Sequence, residues 1–599
     1  MESGLFKSER YSGKKAEMEK KAEMEKLKEI NKTIKPLLVY RKTIRDPIHK
    51  SIMLTDLELK IIDTPEFQRL HKIKQLGTAY LIFPGATYTR FLHSLGTLYL
   101  AQFLLERVLT NPKKDPCIFY YVDTPTFSVF SDENELTKNT VGIVTNYHIL
   151  LARVTALIHD LAHIPFGHVL EDEGFLFEKQ WFDRKRLEFF LGEQSTIGNI
   201  ILETLRANDF DGLSKWGISA LNFLEEIKSI LATKSSEIEN LENPFVSDII
   251  HNTICADLLD YIKRDCYFCG IDKDFDHHFL SYFYIGIYNN KPRLLLRIIK
   301  PTTKELKRMV VSEVFHLLRL RYYLAENVHY HPAKMKASAM IISATQHALH
   351  DSNTDLNEPT LYQIGDDELL SLLKKNRTSN YIIDKYEKRK FYQPVYMLNY
   401  KEEEELKDGH SFWEDQNKLV NNLRDPKTRF KYERTLEKMN SLKTGDVIIY
   451  CPEEDMGRKA LKTLVDAGVS KGPLDAISNY KQEIESSITR KHLQLWHLFV
   501  FVNPDIDSET KITIASDCQK LFKLPNEIGI DDFRLEKPNY LDRLKTKAEK
   551  ETGFSITEEQ HQAIINSCFR RNEIFKEDEK IITFEDYLKE YKKFSRNPG

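Results

Sequence analysis

The segment ALIHDLAHIPFGH, residues 156–168, constrains this chain more than any other. Residues 149–162 read as a strongly apolar helix, hence a buried one, so the polar pair His159-Asp160 needs partners. Desolvating a carboxylate is costly unless a cation compensates, and a divalent metal offers that compensation. Imidazole beside carboxylate suits iron, manganese or zinc. His163 follows His159 by four residues and shares its helix face. Pro165 and Gly167 end the helix, which leaves His168 on the turn beyond. The alternative is a set of structural histidines with hydrogen-bonded partners. Two further segments weigh against it. Arg90 and His93 stand at i, i+3 ahead of an apolar helix, and Asp257, Tyr261 and Asp265 form an i, i+4, i+8 stripe in CADLLDYIKRDC. Alone, that stripe reads as a solvated face; beside the histidines it can supply a fourth metal ligand and two substrate contacts.

The surrounding chain sets the frame. With 599 residues, two or more domains are expected. Its 87 basic and 90 acidic residues nearly cancel, which excludes a bulk polyanion binder and leaves nucleic acid an improbable main partner. An anionic substrate must be drawn by a local cluster. Seven cysteines without paired spacings fit a reducing compartment, so a cytoplasmic location is expected, with Cys266 and Cys269 as packing residues. No apolar run suggests a signal peptide or membrane span. Residues 14–28 are a good helix former and repeat KAEMEK, a helical arm or solvated tail.

Residues 40–110 read as helices with short breaks, the clearest at Pro84-Gly85. An insertion with a strand-like Cys117–Val122 occupies about 111–146, and 283–300 reads as a β-hairpin turning at Asn289-Asn290-Lys291-Pro292. Helices fill 304–350. Beyond 380, Asp446–Cys451 and His497–Val502 read as buried strands, with 400–417 a linker or exposed face. The expected division is a charged arm at 1–38, a mainly α core at 39–380, and a mixed α+β lobe at 381–599 for assembly and control.

With His93, His159-Asp160 and Asp257 the chain resembles the HD superfamily and its H…HD…D signature. The run RDPIHKSIMLTDLELKIIDTPEFQRLHKIKQLGTAYLIFPGATYTRFLHSLGTLYLA, residues 45–101, is similar to the dNTP triphosphohydrolase family, over roughly 40–345. The resemblance implies an HD-domain helical core and hydrolysis of dNTPs to deoxynucleoside and triphosphate. It implies His93, His159, Asp160 and Asp257 as ligands of a divalent transition metal (Fe, Mn or Zn), with Mg²⁺ on the triphosphate. His168 and Glu171 match a catalytic His–acid pair and His163 a phosphate-contacting histidine. Gln75 and Asp265 match contacts to the sugar 3′-hydroxyl, and Leu76 falls beside them in the substrate set. Tyr261 matches the ring that packs at C2′ and excludes ribose. Arg90 and Arg321 match the phosphate channel, where a guanidinium fork suits phosphate oxygens. Departures fall at Gly192, Leu258 and His329, where animal members carry His, Lys and Tyr. Lys42, Arg45, Asp63, Gln68 and His71 match a segment that binds an effector nucleotide, which implies a homo-oligomer, a tetramer or hexamer. Arg45 and His71 replace the family's Asn and Arg, so the effector can differ from a guanine nucleotide. The rival readings are another HD phosphohydrolase, such as a phosphodiesterase or monophosphatase, and a nucleotide-sensing scaffold without catalysis.

Overall fold

The computed structural model describes residues 25–109, 143–399 apart from a few positions, 410–453, 490–528 and shorter stretches, including 119–120, 463–466, 471–473 and 584–596. Among the described residues the chain is mainly α-helical with short strands. The KAEMEK duplication lies almost wholly outside them. Residues 25–34 are helical, and Leu27, Ile30 and Ile34 bury one helical stripe in the core. Asn31 accepts from the Asn146 backbone N–H at 2.8 Å and fixes this arm to the start of a core helix.

The expectation of helix from residue 40 onward is corrected by a hairpin. Strands β1 (Tyr40–Asp46) and β2 (Lys50–Thr55) pair antiparallel. Ile52 and Leu54 are buried while Met53 is exposed, the period-two signature of a strand with one face on the core. The charged β1 conceals that pattern. Asp46 closes the turn by accepting from the backbone N–H groups of Ile48 and His49 at 2.9 and 2.7 Å. Thr55 then caps the next helix, Asp56–Ile62, in a capping box with Glu58.

Three helices form the centre: α1 (Arg90–Leu109), α2 (Asn146–Ile158) and α3 (Ala256–Phe268), with α1 packed against both others. Every residue of α2 from Asn146 to Ile158 is buried except His148. Its one buried cation, Arg153, is matched by Glu58 at 2.7 Å. Of the insertion, the two-residue strands Phe119–Tyr120 and Ile143–Val144 and the start of α2 at Thr145 and Asn146 are described; the rest of the segment lies outside the described residues. The expected hairpin forms from β3 (Phe283–Tyr288) and β4 (Lys291–Arg297). Its turn is tighter than the four residues expected. Asn289 and Asn290 both take positive φ, 49° and 61°, as a two-residue type I′ turn requires. The late segments Leu464–Asp466 and Lys471–Pro473 extend this sheet to four strands.

The two buried strands expected beyond 380 are β6 (Val447–Tyr450) and β7 (His497–Val502); β7 is the middle of a three-stranded antiparallel sheet with β6 and β5 (Gln393–Asn399). Alternation explains why both strands are apolar throughout. Ile448, Tyr450, Phe499 and Phe501 face the main core, while Val447, Ile449, Leu498 and Val500 face a second one. Residues 400–409 of the expected linker lie outside the described residues, and His410–Arg424 is a helix rather than a linker. No helix among the described residues is long and apolar enough to cross a membrane.

Candidate active site

Helix α2 stops at Ile158, short of the expected 162, so His159 and Asp160 lie on its C-terminal turn rather than within it. The carbonyls that such an ending frees need donors. Side chains from outside supply them: Trp181 Nε1 donates to the His159 carbonyl at 2.5 Å, Arg69 to that of Leu161 at 2.7 Å, and Arg186 to that of Ala162 at 3.4 Å. Phe166 and Gly167 follow with φ of 59° and 43°. Asp366, two hundred residues on, fixes this turn by accepting from the Phe166 N–H at 2.8 Å; its other oxygen takes the Lys74 N–H at 2.9 Å. Burial pushes the Asp366 carboxyl up to about 6. Glycine is needed at 167 because a Cβ there would sit 2.5 Å from the Arg90 guanidinium.

His93, on α1, brings its Nε2 to 3.3 Å from His159 Nε2, 3.1 Å from Asp257 Oδ1 and 3.8 Å from Asp160 Oδ2. Ligand atoms of His93, His159 and Asp160 lie within 4.8 Å of one another, and all three residues are buried. Asp257 Oδ1 lies 3.9 Å from His159 Nε2, so α3 completes the ring. The donor chemistry fits a divalent metal. His159 Nδ1 is engaged by the Ala156 carbonyl at 2.8 Å, which assigns its proton there and turns the Nε2 lone pair toward the cluster. Burial lowers the His159 pKa, which favours the neutral form that a ligand needs. His93 behaves differently. Burial opposes its charge, but hydrogen bonds to Asp257 and Asp260 and the charge of Asp160 raise it to about 10. Asp160 is likewise pushed up by burial, but Arg90, His159 and His163 hold it well below the usual carboxylate range. Arg90, expected in a phosphate channel, pairs with Asp160 at 2.6 Å.

The structure brings the expected His168 and Glu171 together with His163, their ligand atoms within 4.8 Å of one another, and adds closer partners. His163 takes Glu171, Nδ1 to Oε2 at 3.0 Å, and Arg186 holds the other Glu171 oxygen at 2.5 Å. His168, exposed, sits 2.5 Å from Asp172 instead, and Lys179 approaches Asp172 at 3.0 Å. The physical reason is the π-helical turn Val169–Glu173, which directs residue 171 inward and 172 toward His168. The two imidazoles remain close, 4.8 Å between centroids in an edge-to-face arrangement. A cavity of about 520 Å³ opens beside them, with Lys179, Trp181 and Arg293 among its walls.

The remaining candidates divide. Tyr88 donates its hydroxyl to Asp265, whose carboxyl burial pushes up to about 7. Gln75 donates its backbone N–H to the Tyr88 carbonyl at 3.1 Å, and its Oε1 is buried without a hydrogen-bond partner among the described residues. Leu76 is buried beside it, and half-buried Tyr261 lies one turn after Asp257 on α3. Arg321 lies near the end of the helix Arg308–Leu324; His329 follows it, lowered to about 3 by burial and by neighbouring cations that include Lys334, His168 and Arg321. Lys42, Arg45, Asp63, Gln68 and His71 are all exposed and are not brought to the cluster. Gln68 donates its Nε2 to the Ile62 carbonyl at 2.9 Å, and His71 stacks on Phe91 at 3.6 Å. Sequence reasoning missed Asp260, Arg264, Asp172, Arg186 and Asp366. Asp260 alone carried a signal, its place three residues after Asp257.

No family model matches the chain. It is similar to an uncharacterized protein of Methanocaldococcus jannaschii, 29% identical over 367 residues, 60% of either chain. It is also similar to the deoxynucleoside triphosphate triphosphohydrolase SAMHD1 of Homo sapiens, 30% identical over 274 residues, 43% of this chain and 38% of that one. The uncharacterized protein YwfO of Bacillus subtilis is 28% identical over 316 residues, 52% of this chain and 57% of that one. The matches thus span less than two thirds of the length of these relatives.

Proposed function

We propose, for a chain that belongs to an HD-domain, dNTPase-like family, that it hydrolyses deoxynucleoside triphosphates to deoxynucleoside and triphosphate at this cluster. The observation that carries the reading is the convergence of His93, His159, Asp160 and Asp257, with His159 held by its backbone partner in the ligand tautomer. A divalent metal there (Fe, Mn or Zn) would polarise an α-phosphate oxygen and lower the pKa of an attacking water. The chain's own groups then divide the work. Arg90 offers a guanidinium to phosphate oxygens; His163, its pKa raised by the Glu171 and Asp160 carboxylates against burial and Arg90, stands beside the developing charge. His168, supported by Asp172, is placed to move a proton at the leaving oxygen. Arg321 and His329 serve the phosphate tail, which Mg²⁺ accompanies. Gln75 Oε1 and Asp265 receive the 3′-hydroxyl, Leu76 lines the sugar, and Tyr261 fills the space a 2′-hydroxyl would need. Such an activity lowers dNTP pools, in pool balance or antiviral defence.

The test is to incubate the purified protein with each dNTP and NTP and separate products by ion-exchange chromatography. Deoxynucleoside and intact triphosphate are expected, with matched NTPs nearly inert. Tyr261→Ala is expected to narrow the dATP over ATP preference at least about tenfold, the scale of one lost pocket contact. Equal turnover of ATP and dATP by the wild type, or release of monophosphate, refutes the reading.

The exposed set Lys42, Arg45, Asp63, Gln68 and His71 we assign to an effector nucleotide, with the cations on its phosphates and Asp63 and Gln68 on its base edge. An effector that binds only the assembled state stabilises it by mass action. Light scattering with and without each nucleotide is expected to show growth to a tetramer or hexamer, together with a rise in rate. One size and one rate under all nucleotides would remove this assignment.

A further inference from the structure

The two ring nitrogens of His93 have different neighbours. Nε2 faces the candidate metal cluster, whereas Nδ1 points away and lies 2.7 Å from Asp260 Oδ2. An ionised carboxylate only accepts, so Nδ1 carries the proton and Nε2 is the atom left for a metal.

Asp260 is itself fixed through both oxygens. Oδ1 accepts from His49 Nε2 at 2.6 Å, and Arg264 reaches Oδ2 with Nε and Oδ1 with Nη2, each at 2.9 Å. Arg264 Nη1 continues to Asp46 Oδ2 at 2.8 Å. Asp260 and Arg264 are fully buried, so neither can exchange these partners for water. Asp46 and His49 belong to the turn between β1 and β2. His49 is braced in turn by stacking on Tyr99 of α1, with centroids 4.8 Å apart.

A second observation comes from α1. Gly96 lies one turn after His93, and a Cβ there would fall 1.9 Å from Asp260 Oδ1 and 2.5 Å from Arg264 Nη2. Real Cβ atoms do not approach that closely. The helix therefore leaves a notch, and the Asp260 carboxylate occupies it to reach His93.

We infer that Asp260 is a positioning residue that sets the tautomer and orientation of the metal ligand His93, with His49 of the β1–β2 turn and Arg264 holding it in the Gly96 notch. This rests on the reading of His93 as a metal ligand. A ligand histidine held by a carboxylate is more basic and loses less freedom on binding, so the effect falls on metal affinity rather than on substrate contacts. It also ties the surface hairpin that bears Lys42 and Arg45 to the metal centre through a continuous chain of hydrogen bonds.

The test titrates metal-free wild type, Asp260→Asn and His49→Gln with Mn²⁺ alone, reading free ion by electron paramagnetic resonance, with thermal melts of the metal-free forms alongside. Asparagine keeps the shape of the side chain, and Arg264 retains Asp46. The Mn²⁺ Kd of Asp260→Asn is expected to rise about 10- to 100-fold. His49→Gln should shift it the same way by a smaller factor. With saturating Mn²⁺, kcat of Asp260→Asn should recover at an unchanged KM, which a loss of folding would not give. Wild-type Mn²⁺ affinity in a folded Asp260→Asn overturns the inference and leaves the metal reading standing. Failure of the wild type to bind Mn²⁺ overturns both. If Asp260→Asn yields no folded chain, His49→Gln decides: weaker Mn²⁺ binding supports the inference and wild-type binding overturns it.

Discussion

Replacing Asp160 by alanine is expected to abolish dNTP turnover, by about a thousandfold or more, and to strip the chain of its divalent metal. The magnitude follows from the several kcal/mol that a metal contributes at a phosphoryl centre, at about 1.4 kcal/mol per tenfold. Asp160 lies among His93, His159 and His163, with carboxylate–nitrogen distances of 3.4 to 3.8 Å, so no neighbour can take its place. One complication is Arg90, buried and paired with Asp160 at 2.6 Å. Alanine leaves that guanidinium without its carboxylate and costs about 3 kcal/mol or more of stability in the metal-free state. His159→Ala separates chemistry from folding. Burial lowers the His159 pKa, and apart from volume the substitution surrenders the bond to the Ala156 carbonyl, about 1 kcal/mol. Both variants should therefore lose metal and rate alike, while only Asp160→Ala melts markedly lower before metal is added. Elemental analysis beside a dNTP assay checks this. Wild-type turnover with no metal bound in either variant would remove the metal from the reaction.

What could be read from the sequence follows a physical division. Ligands and their immediate spacing were legible because buried ionisable residues on apolar segments demand an explanation. So His159 and Asp160 stood out by type and position, Asp257 by its stripe beside them and His93 through the family resemblance, and the structure brings the four candidates together. Local turns were legible where the residues permit few alternatives, as at Asn289-Asn290. The groups that hold the ligands were not. Asp366 reaches Phe166 across 200 residues and Arg69 reaches Leu161 across 92, and nothing in the local pattern announces either. The β1–β2 hairpin was hidden because most of β1 is exposed and charged, leaving only Ile52 and Leu54 on β2 to show a period of two. The closer partners of Glu171 were hidden for a related reason. Spacing of i, i+3 suits an α-helix, but the chain there makes a π-helical turn, and the partner changes with the pitch.

That change of partner gives the second large effect. Glu171→Gln is expected to keep the metal and lower kcat by about 10²- to 10⁴-fold, the range of a positioned proton-transfer or charge-stabilising group. Glu171 touches no member of the metal cluster in the structure; it acts through His163 at 3.0 Å, with Arg186 on its other oxygen at 2.5 Å. Without the carboxylate, burial and Arg90 lower the His163 pKa with Asp160 alone opposing them, which weakens the positive charge at this position. Arg186, fully buried, keeps the Ala162 and Glu178 carbonyls and the Tyr362 ring but loses its ionic partner, so a loss of roughly 3 kcal/mol in stability accompanies the loss in rate. Asp172→Asn should act differently. It releases the exposed His168 and Lys179, lowers the rate through His168, and costs little stability because solvent can hydrate what is freed. Double-mutant cycles discriminate the two routes. Glu171→Gln with His163→Ala should be far from additive, as expected of groups acting as one unit, and Asp172→Asn with His168→Ala likewise. Glu171→Gln with His168→Ala should couple more weakly than either pair. Strong coupling of Glu171 to His168, with none to His163, would restore the i, i+3 pairing and remove His163 from the role given to it.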